Sequence, residues 1–88
     1  LMIYLLEAVR IEQLIVAGID QGLWARAADA YREVLTQAGC RVLGQSKNFK
    51  KGQLTFTLRV PRTFTSDEVS RAVSNVPADL RGTFDWPE

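Results

Sequence analysis

Residue types that could carry catalytic or metal chemistry are scarce in this 88-residue sequence. It contains no histidine and one cysteine, Cys40, so a soft-metal site is not expected and an internal disulfide is excluded. The polar residues that could hold a ligand are concentrated in residues 18–26 and 47–51. We therefore assign no catalytic residue, metal ligand or cofactor, and we look for binding chemistry in these two segments.

The second of these segments is basic. The net charge of the chain is only +1, which by itself selects neither nucleic acid nor membrane as a partner. No acidic residue occurs between Glu33 and Asp67, however, and Lys47, Lys50 and Lys51 lie in the middle of that stretch. Such a basic surface could approach anionic lipid headgroups, which is worth about 1 kcal/mol per lysine. A simple solvated hairpin tip is the alternative.

The element that must position these segments is a strand at residues 53–60. Its large apolar residues alternate with polar ones, which predicts a strand with one face in the core. A shift of register by one residue would expose all of the apolar side chains, so we expect a firmly fixed register. The apolar set is Leu54, Phe56, Leu58 and Val60, and the polar set includes Thr55, Thr57 and Arg59.

Two helices and three further strands are predicted around it. Residues 13–18 are a short apolar run typical of a buried strand, residues 41–46 form a second strand with Leu43 as its best core candidate, and residues 47–52 form a hairpin loop. A helix begins at Leu23, and the sequence of residues 65–68 predicts a capping box for another. Leu80, Phe84 and Trp86 alternate with polar residues in a predicted last strand.

The resulting order, βαββαβ, predicts an α+β fold. We expect a ferredoxin-like sandwich, with an antiparallel four-stranded sheet and two helices on one face. The domain would span residues 13–88, and residues 1–12 would be an apolar leader or the end of a preceding membrane segment. Because the other face of the sheet would be partly apolar, we expect a homodimer or other self-association to cover it.

Two functions found on this topology can be compared with the sequence. RNA-recognition modules place stacking aromatics on the third strand, but Gln53 and Thr55 occupy those positions, so no nucleic acid is expected. Residues 18–26, G-I-D-Q-G-L-W-A-R, resemble the phosphate loop of acylphosphatases. That resemblance implies that Arg26 binds phosphate and that Asn48 orients water. Asp20 opposes it, because its charge lies inside the supposed anion cradle.

The same loop resembles the ACT domain family, in which the first strand ends in a pattern close to D-x-x-G-L. Residues 35–39, L-T-Q-A-G, and the order of the later elements continue the similarity. The end of the chain, from Asn75 to Trp86, resembles the C-terminal ACT-like domain of the MgtC/SapB membrane proteins.

The ACT resemblance implies a non-catalytic regulatory or assembly domain on the cytoplasmic side of the cell membrane, as part of a longer chain. It also implies a small, amino-acid-like ligand near Asp20, Gln21, Gly22 and Leu23. Asp20 would pair with an amino group, and backbone N–H groups near Gly22 would take a carboxylate. A plain helix cap is the alternative role for Asp20. An acylphosphatase-like hydrolase that uses Arg26 and Asn48 is the alternative function.

Overall fold

The computed structural model describes residues 9–86, so residues 1–8 of the leader predicted at residues 1–12 lie outside the described residues. The elements are β1 (Val9–Ala17), a 3-10 helix (Gln21–Leu23), α1 (Trp24–Gln37), β2 (Arg41–Asn48), β3 (Gln53–Pro61), α2 (Ser66–Val73), α3 (Ala78–Arg81) and β4 (Thr83–Asp85). The strands form one antiparallel sheet in the order β2-β3-β1-β4. This α+β architecture is compatible with the predicted ferredoxin-like sandwich.

Strand β3 lies inside the sheet, as its alternation predicts. Its apolar side chains face the helices and none is more than 1% exposed, whereas Thr55 and Thr57 are half-buried on the other side. The ring of Phe56 stacks on that of Tyr31 in α1 with centroids 5.7 Å apart. The core on this face joins β3 to both main helices. It includes Leu14, Val16, Trp24, Tyr31, Leu35, Leu54, Phe56, Leu58, Val60, Val69 and Val73.

The two main helices form where their patterns predict them. The apolar stripe of α1 is buried from Trp24 to Leu35, and the short 3-10 helix precedes it. At the start of α2, the Thr65 side chain accepts a hydrogen bond from the Glu68 backbone N–H at 3.4 Å, which confirms Thr65 as the N-cap. Phe64 is buried beside this cap and is therefore part of the core.

Strand β1 begins four residues earlier than predicted, so residues 9–12 belong to the sheet and not to the predicted leader. Its first half breaks the apolar pattern because Arg10 and Glu12 replace core residues on the side of the sheet where the helices lie. Their side chains form an ion pair at 3.3 Å, and the Arg10 guanidinium donates to the carbonyl oxygen of Phe64 at 2.5 Å. These polar contacts take the place of apolar burial, so the strand extends through residues 9–12.

Leu43 in β2 was predicted to be a core residue, and this prediction is wrong. Its side chain is 50% exposed because a β-bulge falls between Val42 and Gly44. The bulge inserts an extra residue into β2. Val42 pairs with the buried Leu58, so Val42 is the residue that faces the helices here, and it is half-buried. Strand β2 also extends to Asn48, so the hairpin turn itself occupies residues 49–52.

The last strand is shorter than its alternation predicted. Residues 78–81 form the helical turn α3, which begins after Pro77, and β4 keeps only three residues. The Arg81 guanidinium explains this turn, since it donates to the carbonyl oxygen of Val76 at 2.8 Å and to that of Ser74 at 3.2 Å. These bonds satisfy carbonyl groups beyond the C-terminus of α2 that a strand at Arg81 would leave open.

Candidate functional site

The predicted ligand loop connects β1 to α1. Gly18 has φ +79°, which turns the chain out of the sheet, and Ile19 returns to the core. The carbonyl oxygen of Ile19 accepts a hydrogen bond from the buried indole N–H of Trp24 at 2.8 Å. The carbonyl oxygen of Asp20 accepts from the N–H of Leu23 at 2.9 Å, which closes the 3-10 turn. The loop is therefore held by its backbone.

The side chains of this loop are largely exposed. Asp20, Gln21 and Gly22 face solvent and Leu23 is half-buried. Asp20 precedes the 3-10 helix, but its carboxylate makes no capping hydrogen bond, so the role of a plain side-chain cap is not what the structure shows. The carboxylate lies near Gly22, where an added Cβ would meet Asp20 Oδ2 at 3.5 Å. It is thus available to an external donor.

The basic hairpin lies at the same end of the molecule as this loop. Lys47 is the penultimate residue of β2, and Lys50 and Lys51 are in the turn; all three are exposed. The turn is stabilised by Asn48, whose side-chain oxygen accepts from the backbone N–H of Lys51 at 3.1 Å. Gly52, with φ +66°, takes the left-handed conformation predicted for it.

Phe49 is the residue of this region that sequence reasoning missed. It stands between the lysines, and its ring stacks on that of Trp24 with centroids 5.1 Å apart and planes 21° from parallel. Trp24 is almost fully buried, yet Phe49 remains 63% exposed. The signal in the sequence is a large aromatic residue in a turn that otherwise favours polar residues. This contact attaches the tip of the hairpin to the N-terminus of α1.

The residues of the acylphosphatase-like alternative take simple structural positions. Arg26 is exposed in the first turn of α1, and the Asn48 side-chain oxygen is engaged in the hairpin turn. No side-chain hydrogen bond or ion pair joins Arg26 to Asn48 or to any other described residue. The hydrolase therefore stays a prediction to which the geometry adds no support.

The face of the sheet opposite α1 and α2, called here the open face, carries a mixed set of side chains. Ile11 is 56% exposed and lies next to Arg59, while Ile15 is half-buried between Thr55 and Asp85. Of the described helices, α1 and α2 pack on the other face. Side chains on the open face come from all four strands. They include Val9, Ile11, Gln13, Ile15, Arg41, Thr55, Thr57, Arg59 and Asp85.

The groups with shifted pKa values lie away from these surfaces, in the core. Burial raises the pKa of the Cys40 thiol to about 11, and the carboxylate of Glu68 adds to the rise. Burial likewise raises the pKa of Tyr31 to about 12, partly offset by the positive charge of Arg81. The Tyr31 hydroxyl donates a hydrogen bond to the carbonyl oxygen of Arg81. Neither group is poised to ionise as a nucleophile or base near pH 7, and both suit structural roles.

Comparisons with known proteins return no match: no protein-family model, no curated protein and no solved structure matches the chain. Within residues 9–86 there is no cluster of three or more acidic, cysteine or histidine residues that could hold a metal ion. In the same part of the chain, no helix is long and apolar enough to cross a membrane.

Proposed function

We propose that this chain is a non-catalytic assembly domain that associates with a second copy of itself through the open face. The observation that carries the proposal is the 56% exposure of Ile11 on a face that neither α1 nor α2 covers. Leu43, 50% exposed at the bulge of β2, is a second exposed apolar group in the sheet. Half-buried Val9 and Ile15 extend the apolar surface along β1. Exposed apolar side chains on an uncovered sheet face, with polar residues among them, favour an interaction surface.

A second copy fits this face because the face has both apolar groups and charges of opposite sign, so two identical faces can be complementary. Two-fold pairing places the same patch on both partners, and it is the commonest symmetry of protein oligomers. The charges also differ in sign across the face: Arg41 and Arg59 lie at one end of the β2–β3 pair, and Asp85 lies on β4 at the opposite edge of the sheet. Two faces can thus meet with opposite charges adjacent to each other.

The test measures the mass of the chain by light scattering over a range of concentrations. The mean mass of the wild-type protein should rise with concentration. The Ile11→Thr/Leu43→Thr double variant should stay monomeric because it loses apolar contact area, and it should still fold because threonine favours strands. Phe49→Ser, which removes an equally exposed apolar group outside the open face, is the matched control and should associate like wild type. A monomeric wild type at high concentration would overturn the proposal.

We further propose that the domain is of the ACT type and belongs to a membrane protein, on the cytoplasmic side. The strand order supports the ACT type of fold. The carboxylate of Asp20, which makes no capping hydrogen bond, supports an amino-acid-like ligand at residues 20–23. The coding sequence upstream of Leu1 provides the test of the membrane part. Several apolar runs of about 20 residues are expected there, and a polar upstream sequence would count against it.

A specific observation favours contact between the hairpin tip and an anionic membrane surface. Phe49 is exposed beside Lys47, Lys50 and Lys51, and an aromatic group combined with cations is the composition that suits a lipid interface. The lysines would be attracted to headgroups while the ring enters the interface.

Sedimentation with lipid vesicles tests this contact. Wild type should bind vesicles of phosphatidylcholine with phosphatidylglycerol and not those of phosphatidylcholine alone, and Phe49→Ser and Lys50→Gln/Lys51→Gln should each reduce binding. Arg71→Gln removes an exposed charge from α2 and should bind like wild type. Binding that is insensitive to the hairpin variants would show that another surface, or none, is responsible.

A further inference from the structure

Two arginines lie directly opposite each other on the open face. Arg41, the first residue of β2, pairs with Arg59 of β3, and both side chains are exposed. The Cα atoms of such directly paired residues are about 4.5–5.5 Å apart, so the two guanidinium groups can reach the same point. A depression of about 250 Å³ adjoins them. Its other lining residues are Val9, Gly39, Val60 and Pro61.

The positive charges of this pair have no compensation within the described part of the chain. Neither Arg41 nor Arg59 makes an ion pair or a side-chain hydrogen bond there. The acidic residue of β1, Glu12, pairs with the buried Leu58 on the side of the helices and binds Arg10. Like charges directly opposite each other on neighbouring strands destabilise a sheet. The free protein therefore carries a repulsion that a bound anion would remove.

We propose that Arg41 and Arg59 form a binding site for a small organic anion, a carboxylate or a phosphate monoester with a short apolar group. Guanidinium groups bind such oxyanions through two parallel N–H donors, which makes a convergent pair selective for them. The apolar part would occupy the depression beside Val9 and Pro61. That depression is smaller than the usual range of ligand pockets, about 300–1,000 Å³, so the apolar group must be only a few carbons long.

This site differs from the basic hairpin in its geometry. Lys47, Lys50 and Lys51 are flexible point charges around a convex turn, whereas Arg41 and Arg59 are held by two paired strands beside a concave surface. The anion contacts residues of one protomer, but Arg41 and Arg59 lie on the open face, so a second copy bound there would compete with the anion for them. Light scattering on the same samples reports the oligomeric state separately.

The experiment titrates the full chain with inorganic phosphate and with n-butyl phosphate, and uses sodium chloride at equal ionic strength as the reference. Thermal unfolding and backbone amide shifts at residues 41 and 59 are the readouts. We expect both phosphates to raise Tm more than chloride does, and n-butyl phosphate to bind several-fold more tightly than phosphate because of its apolar tail. Arg41→Gln and Arg59→Gln should each weaken binding at least tenfold.

Matched variants distinguish binding at a specific site from nonspecific electrostatic attraction of the anion. Lys50→Gln/Lys51→Gln removes two charges from the hairpin and should bind n-butyl phosphate like wild type. In low salt without phosphate, Arg59→Gln should melt no lower than wild type because the repulsion is gone, and this readout shows that the variant is folded. The proposal is overturned if phosphate stabilises no more than chloride, if the lysine variant loses as much affinity as the arginine variants, or if only phosphatidylglycerol vesicles and not n-butyl phosphate require Arg41.

Discussion

At the scale of single residues, neighbours on one strand can contribute very differently to stability. Phe56 is fully buried and stacks on Tyr31, whereas Thr57 is half-buried on the open face between Gln13 and Gly44. Removal of the Phe56 ring deletes apolar burial and leaves a cavity. Removal of the Thr57 hydroxyl and methyl groups leaves a gap that solvent can fill.

We therefore expect Phe56→Ala to lower the free energy of unfolding by about 3–5 kcal/mol. Thr57→Ala should cost about 1 kcal/mol or less, as is usual for substitutions at partly exposed sites. Denaturant titration of both variants measures the difference. Equal losses would contradict the assignment of the two faces of β3.

At the scale of elements, glycines allow the chain to close the sheet at β4. Gly82 joins α3 to β4 with φ +58°, and a Cβ added there would lie 2.2 Å from the carbonyl oxygen of Ala17 and 2.7 Å from the Ile19 side chain. The close approach brings β4 to its pairing position beside β1. Gly39 also has a positive φ, +97°, but a Cβ there would have no neighbour within 4 Å.

Substitution of Gly39 and of Gly82 distinguishes the cost of backbone strain from the cost of steric overlap. Gly39→Ala should destabilise by about 1–2 kcal/mol, the cost of a left-handed conformation for a residue with Cβ. Gly82→Ala should cost at least twice as much because the added Cβ also collides with backbone atoms of Ala17 at the end of β1. Thermal and denaturant unfolding check the order of the two effects. Equal costs would show that β4 moves freely away from β1.

At the scale of the whole molecule, the core contains two groups that resist ionisation. The pKa of Cys40 is raised from 9.0 to about 11 and that of Tyr31 from 10.0 to about 12, in both cases mainly through burial. The folded state thus binds these protons more tightly than the unfolded state does. Their contribution to stability is complete below pH 9 and is lost as the pH rises towards 11 for Cys40 and 12 for Tyr31.

We expect the free energy of unfolding to fall steadily above pH 9, as measured by urea titration at pH 8, 9, 10 and 11. Cys40→Ala should delay the onset of the fall to about pH 10, the ordinary pKa of tyrosine. The Cys40→Ala/Tyr31→Phe variant should show a flatter profile still, from a lower starting stability. A fall of the same size in that double variant would assign the pH dependence to other groups.

Much of the architecture could be predicted because it depends on local patterns. The period-two alternation of residues 53–60 predicts both the strand and its buried face, and the apolar stripe that begins at Leu23 predicts α1, which starts one residue later. The Thr65 cap is likewise read from neighbouring residues. These features share one physical cause: the side chains that decide them are within four residues of one another, so their spacing is visible in the sequence.

Other features were decided only by the tertiary structure, because their partners are distant in the chain. Arg10 extends β1 by bonding to Phe64, and the pairing of β2 with β3 sets the bulge that exposes Leu43. Arg41 meets Arg59, and Phe49 meets Trp24, only after the hairpin and the helix have packed. Periodicity shows that a strand has two faces, but which side chains meet across a face depends on register and packing. The candidate sites consist of residues that are distant in the chain and are brought together in this way.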